Sequence, residues 1–220
     1  MVIAMTMEEK RRQLVSKLKQ KGVISSKSVE EVFNSVDRNL FVPLHLKNKA
    51  YMDKPLPIGQ NQTMSSPHMV AIMVEELDVK EGQIVLEIGT GSGYHSAIVS
   101  LLVGKNGMVY SIERSPALAD LAERNLKKAG ITNVSVIVGD GSIGYKKHAP
   151  YDRIYLTCAA PSTPKTFFDQ LDTTGKLIIP VGGMTSQLLL FEKKDKRIIR
   201  HDLGGCTFMP LVGRYGYDNL

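Results

Sequence analysis

Three carboxylates and three glycines carry the first chemical signal in this chain. In the run Ile84-Val85-Leu86-Glu87-Ile88-Gly89-Thr90-Gly91-Ser92-Gly93 an apolar segment ends in an acid and in a loop with glycines at alternate positions. Glycine has no Cβ and tolerates φ > 0, so such a loop lets the backbone pass close to a bound ligand. Glu113 lies 20 residues beyond Gly93 (113 − 93), and Asp140 follows in Val138-Gly139-Asp140-Gly141. An acid in the place of Glu113 accepts the ribose hydroxyls in dinucleotide folds. Asp140 is placed to receive an adenine amino group. The loop reads G-x-G-x-G, not G-x-G-x-x-G, and Glu87 beside it would repel a pyrophosphate but suit a cation. Three readings compete: a cationic nucleoside, which the acids favour; a dinucleotide; and glycines that serve only a tight strand-to-helix turn.

The elements that must position these groups are legible from periodicity and punctuation. Residues 8–20 carry Leu14, Val15 and Leu18 at helical spacing, with Gly22 as a stop, and residues 28–36 place Val29, Val32, Phe33 and Val36 on one helix face. Pro43, Pro55, Pro57 and Gly59 mark residues 41–63 as loop. Pro67 suits the first turn of a helix to Leu77, capped by Ser65 or Ser66. Strands are expected at 83–88, 108–113, 134–138, 152–157 and 176–181, with helices at 94–103, 115–129 and 165–171 between them. Residues 188–192 and 197–203 read as a hairpin around 193–196. Strands alternating with helices predict an α/β fold: a doubly wound, Rossmann-like, mostly parallel sheet. The late strands predict an antiparallel C-terminal edge, and the first two helices an N-terminal helical extension. One domain is expected over 1–220, divided into a helical and loop extension (1–62), a cofactor-binding core (63–185), and C-terminal strands with a substrate-side tail (186–220).

Composition narrows the class. At 43% hydrophobic and 23% charged, 220 residues suffice for one globular core. No apolar run approaches the roughly 20 residues of a membrane helix, and residues 1–7 lack the ordered parts of an export signal. Cys158 and Cys206 are too few for a disulfide scaffold and lack metal-ligand spacing. A reducing cytoplasm, no membrane partner and no metal are the expectations. The net charge is +6 (28 − 22), with basic runs at 10–21 and 193–200. Aromatic residues do not interleave with them as base stacking requires, so solvated faces are the expected reading and nucleic acid an unlikely partner.

The acid, glycine loop, acid and acid together resemble the S-adenosylmethionine site of class I methyltransferases. Just upstream, Gly59-Gln60-Asn61-Gln62-Thr63-Met64-Ser65-Ser66-Pro67-His68-Met69 resembles the signature of protein-L-isoaspartate O-methyltransferases, close to Q-T-I-S-x-P-x-M. Val138-Gly139-Asp140-Gly141, Ala149-Pro150-Tyr151-Asp152, Ala159-Ala160-Pro161, Gly175-Lys176-Leu177-Ile178-Ile179-Pro180-Val181-Gly182 and Phe208-Met209-Pro210-Leu211 are similar to that family's blocks, in its order. The resemblance spans roughly residues 41–213.

The resemblance implies methyl transfer from S-adenosylmethionine to the free α-carboxylate of L-isoaspartyl residues, and more weakly of D-aspartyl residues. The ester collapses to a succinimide that reopens to aspartate, and S-adenosylhomocysteine is the other product. Damaged proteins and peptides are the implied partners. Ser65 matches the family's active-site serine. Gln62 and Thr63 would flank the sulfonium side. Glu87, Gly89, Gly91 and Ser92 from the loop, Glu113 with Arg114, and Asp140 with Gly141 complete the implied cofactor set. His68, beside a helix start, has a structural reading as well as a functional one. The chain departs from relatives at Val212, where some carry threonine, and at Val70, where some carry a second histidine.

A carboxylate acceptor is ionised at neutral pH, its reference pKa being near 4, so this chemistry needs no general base. The runner-up is a methyltransferase of another acceptor such as RNA. At the place where base-nitrogen methylases often carry an Asn-Pro-Pro-Tyr-like tetrad, this chain reads Thr157-Cys158-Ala159-Ala160-Pro161, without the amide and aromatic pair. A third class is a non-catalytic, basic nucleic-acid-binding module.

Overall fold

A computed structural model describes residues 5–183, 185–195 and 197–218. The expectations for residues 1–4, for Lys196 in the hairpin turn and for the last two residues lie outside that range. Helix α1 (Met7–Gln20) starts at Thr6, whose hydroxyl accepts the Glu9 N–H while the Glu9 carboxylate accepts the Thr6 N–H. This reciprocal pair satisfies two of the backbone donors that a helix start leaves orphaned. Helix α2 (Lys27–Ser35) begins at Ser26. The Glu75 carboxylate accepts both the backbone N–H and the hydroxyl of Ser25 and of Ser26, which pins that start to helix α3 (Pro67–Leu77). Leu14, Val15, Leu18, Val29 and Phe33 are buried in the same core as α3. The amphipathic N-terminal helices therefore pack against each other and onto the helical layer that includes α3.

Residues expected as loop contain a small hairpin, β1 (Leu56–Gly59) and β2 (Gln62–Met64). Its turn places Gln60 and Asn61 at φ +50° and +54°, both left-handed as the tightest hairpin turns require. The strands are only four and three residues long and one contains Pro57, so no alternating pattern announces them.

The main sheet takes β3 (Ile84–Ile88), β4 (Met108–Glu113), β5 (Val134–Val138), β6 (Tyr151–Leu156), β7 (Leu171–Gly182), β8 (Ser186–Lys194) and β9 (Arg197–Cys206). Their order is β5-β4-β3-β6-β7-β8-β9. The first five run parallel and the last two are antiparallel, which is the expected architecture. Helices α4 (Tyr94–Val103), α5 (Pro116–Lys128) and α6 (Lys165–Gln170) join the parallel strands. Strand β7 starts at Leu171, five residues before the expected 176 (176 − 171), and takes up the end of the expected helix.

Val85 and Ile178 join the core beneath α1 to α4, whereas Leu86, Ile88, Leu177 and Ile179 join the core on the other face. Alternate residues therefore bury on opposite faces, and the parallel strands read as near-continuous apolar runs. Chain order reverses at β3, which pairs with β4 on one side and β6 on the other. Ligands of such sheets sit outside the carboxyl ends of the strands at that switch, and the glycine loop leaves β3 there.

Candidate active site

The loop after β3 turns on Gly89, Gly91 and Gly93, at φ +95°, +57° and +86°. Gly89 has the tightest constraint. Its N–H donates to the Ile112 carbonyl at 2.8 Å, and a Cβ added there would collide with the Thr157 side chain. Glu113, at the end of β4, bridges two elements. One carboxylate oxygen accepts the Gly91 N–H at 2.9 Å and the other the Ser115 N–H at 2.9 Å, at the start of α5. Asn125 of α5 donates to the Ser92 carbonyl at 3.0 Å. The loop is thus braced from β4, α5 and β6 before any ligand contributes.

Two cavities open on this frame. A cleft of about 640 Å³ is lined by Gln62, Thr63, Ser65, Gly89, Gly91, Ser92, Glu113, Arg114 and Gly141 among the sequence-predicted residues. A second, of about 270 Å³, is lined by Pro55, Ser66, His68, Met69, Cys206 and Phe208. The two share Thr63, Ser65, Thr157 and Met209. Ser65 therefore sits where they meet. Ser66, not Ser65, is the N-cap residue of α3.

Two predicted residues are not on the cleft wall. Glu87 is fully buried beneath the loop, where one carboxylate oxygen accepts the hydroxyls of Ser111 (2.6 Å) and Ser96. Burial pushes its pKa up to about 7 against those hydrogen bonds. Period-2 alternation explains the placement: in a strand buried on both faces, an acid at this position points into protein. Asp140 follows β5, and its carboxylate accepts the Ser142 N–H and hydroxyl (2.9 and 2.7 Å) and the Arg214 N–H (2.9 Å). Burial raises its pKa, but the bonds from Arg214 and Ser142 outweigh that and hold it below the usual carboxylate range. Asp140 thus tethers the tail to the mouth of the cleft. Gly213, at φ +154°, lies so close that a Cβ would meet the Asp140 carboxylate.

Other lining residues were not named as cofactor residues from the sequence: Tyr94, His95, Thr157 and Cys158. His95, in the first turn of α4, is the one with a readable signal, a polar residue just behind a glycine loop. Its ring packs on Tyr155 at 4.4 Å, and burial lowers its pKa to about 3, so it is neutral. Val70 and Val212, the two departures from relatives, both line the cleft and make its wall apolar there. His68 and its own backbone N–H both engage the Asp53 carboxylate, at 2.9 and 3.0 Å, which is the structural reading of that histidine. Cys158 and Cys206 are free thiols.

The residues present fit S-adenosylmethionine. The cleft volume lies within the range for small-ligand sites, roughly 300–1,000 Å³. The Ser92 hydroxyl and both His95 ring nitrogens are buried without a hydrogen-bond partner among the described residues. Glu113 keeps a lone pair free on each oxygen, since each accepts one bond. An acid at this point of the sheet, backbone groups of the glycine loop and unmatched polar atoms along the wall are a nucleoside-binding set.

Comparisons with known proteins agree with this geometry. The family model described as protein-L-isoaspartate(D-aspartate) O-methyltransferase matches residues 9–216. Protein-L-isoaspartate O-methyltransferase 1 of Archaeoglobus fulgidus is 50% identical over 98% of this chain and 99% of its own length. The Methanopyrus kandleri enzyme of the same name is 51% identical over 94% of this chain and 93% of its own. Among solved structures, one named protein-L-isoaspartate O-methyltransferase superposes with a TM-score of 0.85 at 32% identity, covering 94% of this chain and 67% of that one. A Plasmodium falciparum structure described as that methyltransferase, in complex with S-adenosyl-L-homocysteine, gives 0.82 at 27% identity, over 92% of this chain and 98% of its own. With a glycine loop, a ribose-ready acid and a serine at the junction of two cavities, the chain belongs to the protein-L-isoaspartate(D-aspartate) O-methyltransferase family.

Proposed function

We infer that this protein repairs damaged proteins by methylating the free α-carboxylate of L-isoaspartyl residues, with S-adenosylmethionine as methyl donor. The observation that carries the reading is the meeting of two cavities at Ser65. Gln62, Thr63, Gly89, Gly91, Ser92, Glu113, Arg114 and Gly141 would hold the cofactor. Asp140 would reach its adenine from the rim, and Glu87 would act from beneath the loop. When bound, the cofactor supplies a methyl group already activated on a sulfonium.

The chain's own residues have little acid–base work. The acceptor carboxylate is ionised at neutral pH. Ser65 donates a hydrogen bond to one carboxylate oxygen and thereby orients the other. Thr157 and Met209 wall the junction, with Val212 on its cleft side, and exclude water. Alignment of this kind lowers a barrier without a general base. Residues 205–209, where the tail begins, border the acceptor cavity, and the tail would present backbone groups to an extended peptide, which suits tolerance of varied sequences around the damaged residue. D-aspartyl residues are weaker substrates in this reading.

The whole chain works as one methyltransferase domain in the cytoplasm. No helix among the described residues is long and apolar enough to cross a membrane. RNA is not favoured as acceptor, because the basic run at 193–200 is partly occupied within the fold: Lys193 donates to the Phe168 and Leu171 carbonyls at 2.9 and 2.7 Å.

The test is a pair of peptides, one isoaspartyl and one aspartyl, with labelled cofactor. Label on the isoaspartyl peptide alone is expected, and equal labelling of both refutes the reading. Ser65→Ala should lower kcat about 10- to 100-fold, the equivalent of a hydrogen bond to a charged group, and leave cofactor affinity largely intact. A comparable loss of cofactor affinity would make Ser65 a cofactor residue.

A further inference from the structure

Arg38 lies in a short 3-10 turn (Arg38–Phe41), far from the glycine loop in sequence, and no accessible surface remains on it. Its Nη2 donates to the Ser65 carbonyl at 2.8 Å. Its guanidinium carbon lies 4.5 Å from the centre of the Tyr94 ring. Tyr94 lines the cofactor cleft and is braced edge-on by Phe41, 5.6 Å away. One side chain therefore grips both the backbone of Ser65 and a wall of the cofactor site.

The rest of the guanidinium is unmatched. Nε and Nη1 have no hydrogen-bond partner, and no carboxylate lies within ion-pair distance of Arg38 among the described residues. A buried cation with no direct ion pair is costly, and an apolar residue of similar volume would ordinarily be more stable there. Burial pulls the Arg38 pKa down, Tyr94 and then the more distant Asp53 carboxylate oppose that, and a guanidinium stays protonated. Fixed positive charge thus sits on the backbone carbonyl of the residue whose hydroxyl meets the acceptor.

We propose that Arg38 is a positioning residue for methyl transfer, holding Ser65 against the cofactor cleft and placing a buried, unpaired positive charge behind the serine that meets the acceptor carboxylate. The inference rests on the repair-methyltransferase reading above. Two effects separate. The grip on the Ser65 carbonyl and the Tyr94 ring sets the distance between acceptor and donor and acts on kcat. The charge acts on acceptor binding, because a carboxylate in a low-dielectric junction feels a cation far more than it would in water.

Arg38→Gln and Arg38→Lys distinguish these effects, with folding checked by thermal melting. Arg38→Gln is expected to lower kcat/KM for the isoaspartyl peptide about 100-fold, as small misplacements at a reacting centre do. Both a higher peptide KM and a lower kcat contribute, while the S-adenosylmethionine Kd moves less than about threefold. Arg38→Lys, with charge but no planar grip, recovers the KM and not the kcat. An unchanged peptide KM in Arg38→Gln, or a loss of cofactor affinity as large as the loss of peptide affinity, overturns the proposal. Should both variants fail to fold, ¹⁵N-arginine spectra of the wild type decide. The Arg38 Nε–H resonance shifts when isoaspartyl peptide is added to the S-adenosylhomocysteine-loaded protein, and an unmoved resonance overturns the proposal. A wild type that leaves isoaspartyl peptide unlabelled overturns the underlying reading, whereas an active wild type with indifferent Arg38 variants overturns this proposal alone.

Discussion

Replacing Gly89 by alanine tests whether the loop's backbone, and not its composition alone, makes the site. Gly89 holds φ at +95°, a region that costs an L-residue about 1–3 kcal/mol. The new methyl would also collide with Thr157 Oγ1, which donates to the carbonyls of Ile88 and Gly89. Rotating Thr157 away loses about 1 kcal/mol of hydrogen bonding. Alanine reduces the freedom of the unfolded chain and returns about 0.4–1 kcal/mol. The net destabilisation is about 1–3.5 kcal/mol, measurable by urea denaturation, with a weaker calorimetric affinity for S-adenosylhomocysteine because Gly89 lines the cleft. In a Thr157→Ala background the collision is gone, and Gly89→Ala should cost about 1 kcal/mol less. A cost below about 0.5 kcal/mol, the usual scatter of innocuous substitutions, refutes the strain argument. The same cost in both backgrounds refutes the collision.

Glu87 makes stability depend on pH. Its folded pKa is about 7 against an ordinary 4.5, so between those values the native state keeps a proton that the unfolded state releases. Stability then falls as pH climbs through that window, by roughly 3 kcal/mol in all. Glu87→Gln should flatten the fall, and parallel denaturation profiles at pH 5 and pH 8 would contradict it. Asp140→Ala removes the acceptor of the Arg214 N–H and of the Ser142 hydroxyl that in turn receives the Tyr215 N–H. Hydrogen exchange across residues 208–217 should accelerate about tenfold or more, the loss of one bond to a charged group, with β8 unchanged; an unaltered tail would show the tether to be idle. Arg153 is buried in β6 and its Nε and Nη2 close the carbonyls of Leu77 and Asp78 at the end of α3, at 2.6 and 3.1 Å. Arg153→Met should destabilise by about 3 kcal/mol while leaving S-adenosylhomocysteine affinity alone, and a loss below about 1 kcal/mol would argue against the cap.

Much of the sheet was legible because its strands are buried on both faces and end in turn residues. Gln83 to Ile88 and Lys176 to Val181 are apolar runs that read the same whatever packs on them. The hairpin at residues 56–64 was illegible for the opposite reason: its strands are too short for a period and its turn uses Gln60 and Asn61, not Asn-Gly. The glycine loop, Glu113, Gln62, Thr63 and Ser65 were identifiable from local spacing and family blocks, and all line the cleft. Glu87 was recognised as important, but its orientation depends on which residue of the strand faces inward. Arg38 was invisible, since its contacts with Ser65 and Tyr94 span 27 (65 − 38) and 56 (94 − 38) residues. No periodicity encodes a single long-range grip of that kind.

The last strand of the sheet has a consequence for the protein in crowded solution. Among the described residues, strand β9 leaves one side without a neighbour and exposes Ile198 and Ile199 at 47% and 39%. A ten-residue open edge of this sort is a template for addition of another chain's strand. Arg197 and Arg200 stand on the same stretch, both exposed, and a second copy pairing there would bring guanidinium groups together. Like charges on adjoining strands repel. The basic surplus at 197–200 therefore disfavours pairing of two copies through this edge, a charge pattern that blunts an open strand in a protein that must meet damaged chains.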